Sequence, residues 1–187
     1  YHDLREGFRY IKNHQFIRSI FIFCGLFFFL AAPVAFLTPL QTSRSFGNDV
    51  WRLTAIEVTF SGGMMFGGIL LAYWGGFRNK MHTMIAASCV MAVGTVALGV
   101  IPAFWLYCAM MVAVGFAMPF FSTPFTVLIQ QKVEEEFLGR VFGVLTMISS
   151  SMMPIGMLAF GPLSDYVKIE WMLIGTGISM IVLTVTM

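Results

Sequence analysis

The 187 residues are 58% hydrophobic and only 11% charged, and the mean hydropathy of +0.85 exceeds what a soluble domain can hide in one core. That excludes a soluble globular fold and points to an all-α integral membrane protein. A formal charge of +2, with no run of Lys or Arg, excludes a surface that tracks a nucleic-acid backbone.

The chain opens at Tyr1 with neither an initiator methionine nor a secretory signal, and reads as the interior of a longer protein. Residues 1–18 carry Arg5, Arg9, Lys12 and Arg18 against Asp3 and Glu6. Leu4, Phe8 and Ile11 recur at helical spacing, so this segment is expected to be a cytoplasmic linker or a helix lying on the membrane surface. Residues 19–187 hold six apolar runs, each near the ~20 residues that cross a bilayer. They are Ser19 to Gln41, Leu53 to Trp74, Thr83 to Ile101, Phe104 to Ile129, Val141 to Ser164, and Trp171 to Met187. Only Pro102 and Ala103 separate the third run from the fourth, which predicts a tight helical hairpin. Cys24, Cys89 and Cys108 all fall inside these runs without metal-ligand spacing and are expected to be free thiols.

The cations orient the runs. With the N-terminus inside, cytoplasmic segments hold Arg5, Arg9, Lys12, Arg18, Arg78, Lys80, Lys132 and Arg140, and outer segments hold Arg44, Arg52 and Lys168. This bias predicts that both ends face the cytoplasm.

Within the runs, Glu57 is the one acid well inside a span, four residues past Leu53 and so about 6 Å along a helix. An acid at that depth can take up a proton or hold a cationic substrate; alternatively it is an interfacial residue paired with Arg52 or Arg44. The longest polar interruption is Gln130 to Gly143, with Glu134, Glu135 and Glu136 leading into Gly139, Arg140 and Gly143. Gly139 and Gly143 are expected to let a neighbouring helix approach, and Arg140 to bridge helix-end carbonyls and a carboxylate such as Glu136.

The two halves echo each other. Gly68-x-Leu70-x-Ala72-Tyr73 ends the second run and Gly161-x-Leu163-x-Asp165-Tyr166 ends the fifth; Pro33 and Pro39 in the first match Pro119 and Pro124 in the fourth. Two inverted three-helix repeats, a pattern of secondary transporters, are therefore expected.

Gly67 to Lys80, Gly-Gly-Ile-Leu-Leu-Ala-Tyr-Trp-Gly-Gly-Phe-Arg-Asn-Lys, resembles the glycine-rich basic loop between paired helices of the major facilitator superfamily. Gln130 with Gly139-Arg140-Val141-Phe142-Gly143 is similar to the corresponding stretch of its drug-efflux branch, which includes macrolide and enterobactin exporters. Asp3 to Ile11 resembles the segment leading into that branch's seventh helix.

The resemblance implies the C-terminal six-helix half of a twelve-helix fold. It implies a secondary transporter that exports a hydrophobic or amphiphilic small molecule by proton-coupled alternating access, in a bacterial cell membrane and with an N-terminal six-helix half as partner. Arg78, Lys80, Gly139, Arg140 and Gly143 would then form cytoplasmic loops or a gate, and Glu57 the proton-coupling site. The family's cavity lies along the first and fourth helices of each half, which nominates Phe36, Thr38, Gln41, Ser122, Thr123 and Thr126. The loop departs from the family pattern in having Ala72 or Tyr73 where an Asp is usual, which weakens a charge latch at that loop.

A non-transporting receptor or scaffold of the same fold is the alternative. No enzyme is expected: the runs contain no His, and His2, His14 and His82 sit at their edges, so neither a metal site nor a His-assisted nucleophile has its components, and no cofactor is implied.

Overall fold

A computed structural model of the chain describes residues 2–47 and 49–186, with side chains from residue 5 onward. Asn48, Met187 and the side chain of Leu4 lie outside the described residues. Those residues form helices and no strand: α1 (His2–Asn13), α2 (Gln15–Phe46), α3 (Val50–Trp74), α4 (Lys80–Val100), α5 (Phe104–Lys132), α6 (Glu135–Tyr166) and α7 (Ile169–Val185). Helix is the form in which each backbone N–H and C=O finds its partner inside one segment, as an apolar solvent demands. By length and composition α2 to α6 suffice to cross a membrane. The sixth expected span appears as α7, apolar but only 17 residues long.

The helices end where local chemistry stops them. Gly75, at φ +70°, terminates α3 in the left-handed region, and its N–H donates to Leu71 O at 2.7 Å. Asn79 caps α4, its side-chain oxygen accepting from the Met81 N–H at 3.1 Å. Pro102 biases Ile101 out of helical geometry and so closes α4. α1 and α2 are separated by His14 alone, whose ring stacks on Tyr10 at 4.1 Å.

Packing is set by which faces carry small residues. α3 buries Ile56, Gly63, Gly67 and Leu71, one face at spacings of seven, four and four. A Cβ on Gly63 or Gly67 would meet the carbonyls of Val112 and Phe116, and one on Gly115 the carbonyl of Phe60. α3 and α5 therefore run parallel with their backbones in contact, a packing that only glycine permits. α2 and α6 also run parallel: Gly25 faces Ile148, Gly156 faces Ala32, and Arg44 Nη1 donates to Ser164 O at 3.3 Å. α4 lies between α5 and α7.

Two apolar clusters result. One gathers Tyr10, Phe21, Phe27, Phe121, Phe125, Val141 and Val144 near the start of α2 and α6. The other gathers Leu37, Ile56, Leu98, Tyr107 and Leu173 near the opposite end. These contacts sort the helix ends into two sets. α1, the α3–α4 loop and the α5–α6 loop share one end; the α4–α5 turn and the start of α7 share the other.

The face expected of α1 is corrected: Phe8 and Ile11 do not share an environment, since Ile11 is buried and Phe8 is 46% exposed; the face packed on α6 is Gly7, Tyr10 and Ile11.

Candidate functional site

A cavity of about 400 Å³ lies between the two clusters, reached by all six of α2 to α7. Its wall is apolar: Phe28, Val34, Phe60 and Val114, with Met91, Met111, Met118, Met153 and Met180 from four different helices. Methionine is unbranched and polarisable, so such a wall adapts to ligands of differing shape.

Few polar groups interrupt it. Thr38, Thr95 and Ser149 reach the cavity, but each hydroxyl donates to its own helix, to Val34 O at 2.7 Å, Met91 O at 2.8 Å and Leu145 O at 2.7 Å. Their protons are thus engaged, leaving lone pairs to face a ligand. Glu57 is the one ionisable residue in the wall. The cations that could have paired with it are held elsewhere. Arg52 lies 3.4 Å from Asp49 and over the rings of Trp51 and Phe104, and Arg44 is bound to α6.

The structure thus brings Thr38 and Glu57 into one cavity and takes Gln41 into another role. Gln41 is 3% exposed; its Nε2 donates to Leu98 O at 3.0 Å, and its Oε1 accepts from the Tyr107 hydroxyl at 3.0 Å. This brace ties α2 to α4 and α5. Tyr107→Phe leaves the Gln41 oxygen without that donor and should cost about 1–3 kcal/mol. Thermal melting in detergent measures it, and Gln41→Leu/Tyr107→Phe should cost less than the two single changes summed.

Phe36 packs on the cluster around Leu37. Ser122 and Thr123 are exposed on α5, and Thr126 donates to Ser122 O at 3.0 Å. The methionines escaped sequence reasoning because they share no local spacing; the signal available was their number, 15 in 187 residues.

The basic loops are built as follows. Lys80 Nζ donates to Gly75 O at 2.7 Å, neutralising the carbonyl end of α3, and Arg78 is exposed. Arg140 pairs with Glu6 of α1 at 2.8 Å, rather than with Glu136, and lies over Phe137. Tyr10 stacks on Phe137 at 4.7 Å, and its hydroxyl accepts from the Glu134 N–H at 3.3 Å. Within this chain Gly139 packs on no neighbour, since a Cβ there meets nothing within 4 Å, and Gly143 is exposed. The glycine in contact is Gly7, whose added Cβ would lie 2.8 Å from Arg140 O. Among the described residues no cluster of His, Cys, Asp or Glu could hold a metal.

A bundle of long apolar helices around an internal cavity defines a multi-pass membrane protein. Its family follows from the sequence as a whole: the Major Facilitator Superfamily profile matches residues 2–157, and the chain belongs to that family. It is 27% identical over 175 residues, 92% of its length, to macrolide efflux protein A of Streptococcus pyogenes, of which it covers 43%. Identity to macrolide efflux protein A of Enterococcus faecalis is 27% over 157 residues, 83% of this chain and 49% of the relative. The chain thus spans about half the length of the curated relatives it matches.

Proposed function

We propose that this chain forms the C-terminal half of a secondary transporter that exports bulky, amphiphilic compounds by proton-coupled alternating access. The observation that carries the reading is the methionine- and phenylalanine-lined cavity with Glu57 as its one ionisable group. Because the wall hydroxyls already donate inward to their helices, the cavity offers acceptors and a carboxylate. It suits a large apolar molecule with one cationic or donor group, and when no cation is present Glu57 can carry a proton instead. The curated relatives are named for macrolide efflux, and a large amphiphile is consistent with that name. Ser122, Thr123 and Thr126, on the open side of α5, would face the upstream half. No enzymatic step is part of this reading.

The inverted repeat belongs to the same proposal. Exchanging α2 with α5, α3 with α6 and α4 with α7 turns the α3–α5 contact into α2–α6 and the α4–α5 contact into α2–α7, and leaves α4–α7 unchanged; all of these pairs are packed. The α3–α5 and α2–α6 pairs are, moreover, both parallel. Such symmetry is what a fold with two alternating states needs.

In this reading the end bearing α1 and the loops with Arg78, Lys80 and Lys132 faces the cytoplasm of a bacterial cell. Single cysteines at Asn79 and at Ala103, both exposed, test it in a background without native cysteines. Asn79→Cys should react with an impermeant thiol reagent from the cytoplasmic side alone and Ala103→Cys from outside alone. The opposite pattern overturns the orientation. The transport reading itself is tested by substituting Glu57, as described in the Discussion.

A further inference from the structure

We propose that the outward face of α1 is a binding surface for anionic phospholipid headgroups. The inward face is already committed, with Gly7, Tyr10 and Ile11 packed on α6 and its neighbours. The opposite face presents Arg5, Phe8, Arg9 and Lys12, at i, i+3, i+4 and i+7, all exposed. Among the described residues none of these three cations has an acidic partner, so the stripe they form is positive.

Depth selects the occupant. α1 is joined to α2 through His14 alone, and the apolar stretch of α2 begins just past Arg18. On its other side Gly7 touches Arg140 and Val144, where α6 passes from Glu134–Glu136 into apolar sequence. Both attachments put α1 beside the points where α2 and α6 pass from polar into apolar sequence, which is the depth of a headgroup layer. Guanidinium groups there meet lipid phosphate, and Phe8 beside them reaches the acyl boundary. Charge complementarity with an anionic leaflet is thereby matched to an apolar anchor, a pairing that a purely polar protein surface would leave half used.

Native mass spectra of the full chain, titrated with phosphatidylglycerol and with phosphatidylcholine, test the proposal. The unaltered chain should prefer phosphatidylglycerol, and the preference should shrink as ionic strength rises. Arg5→Gln/Arg9→Gln/Lys12→Gln should weaken phosphatidylglycerol binding by roughly a hundredfold, at about fivefold for each cation. Arg5→Lys/Arg9→Lys keeps the charge and should keep the preference, as should Arg78→Gln/Lys80→Gln, which neutralises a different loop. Equal binding of the two lipids by the unaltered chain, or a preference that survives the triple change, overturns the proposal. So does loss of the preference in the charge-keeping variant, because the effect would then belong to the folding of α1.

Discussion

Gly115→Leu should abolish folding, and Gly115→Ala should already leave the chain severely destabilised. A Cβ at Gly115 runs into the carbonyl of Phe60, and the same crossing has Gly63 and Gly67 against the carbonyls of Val112 and Phe116. Backbone cannot move aside as a side-chain tip can, so α3 and α5 must separate along their whole contact. Overpacking typically costs about 1–3 kcal/mol and occasionally more, and the bilayer supplies no hydrophobic drive to push the helices back together. Gly139→Leu is the contrasting change: its new side chain meets open space and should shift the melting temperature little. Yield of monodisperse protein and thermal melting in detergent distinguish them. A well-folded Gly115→Leu protein would mean that the α3–α5 crossing is wider than the structure has it.

If the proposed function holds, Glu57→Gln in the full-length protein should reduce proton-driven export to the level of cells lacking it. Gln keeps the size and polarity of the side chain and removes both charge and proton exchange, so the loss would report on coupling. Stability should stay within about 0.5 kcal/mol, since neither Arg44 nor Arg52 depends on this carboxylate. Glu57→Asp, which retracts the charge by one methylene, should retain part of the activity. The measurement is drug accumulation in vesicles under an imposed pH gradient, with melting as the control. Wild-type transport by Glu57→Gln at every gradient would leave Glu57 an interfacial anchor and remove the proton from the mechanism.

The positions of the helices were legible because apolar runs long enough to cross a membrane have few alternatives to a helix. Glu57 and Thr38 could be singled out for a related reason, as polar groups inside such runs, and both line the cavity. What sequence could not supply is register between helices. Gln41 and Thr38 lie three residues apart on α2, yet one braces α4 and α5 while the other faces the cavity. Only the rotation of α2 against its neighbours decides between them. Likewise Gly139 and Gly143 sit in a suggestive polar motif, whereas Gly63 and Gly115 lie unremarked in apolar sequence and Gly67 stands out only as the start of the glycine-rich loop. The second set makes the contact because its partners' carbonyls happen to arrive there.

The clamp of α1 on α6 also sets a timetable. Tyr10 and Glu134 are 124 residues apart in the chain, so the site that receives α1 does not exist until α5 has been made. At ribosomal rates of about 5–20 residues per second, α1 waits roughly 6 to 25 s before its partner emerges. During that interval α2 is inserted and α1 keeps only its small contact with α2 and whatever its outward face binds. Chains stalled before Glu134 should accordingly be cut quickly by trypsin after Arg5, Arg9 and Lys12, because the α1 backbone is not yet held on α6. Chains released beyond Val144 should gain protection at these sites; unchanged cleavage across the two lengths would show that α1 docks independently of α6.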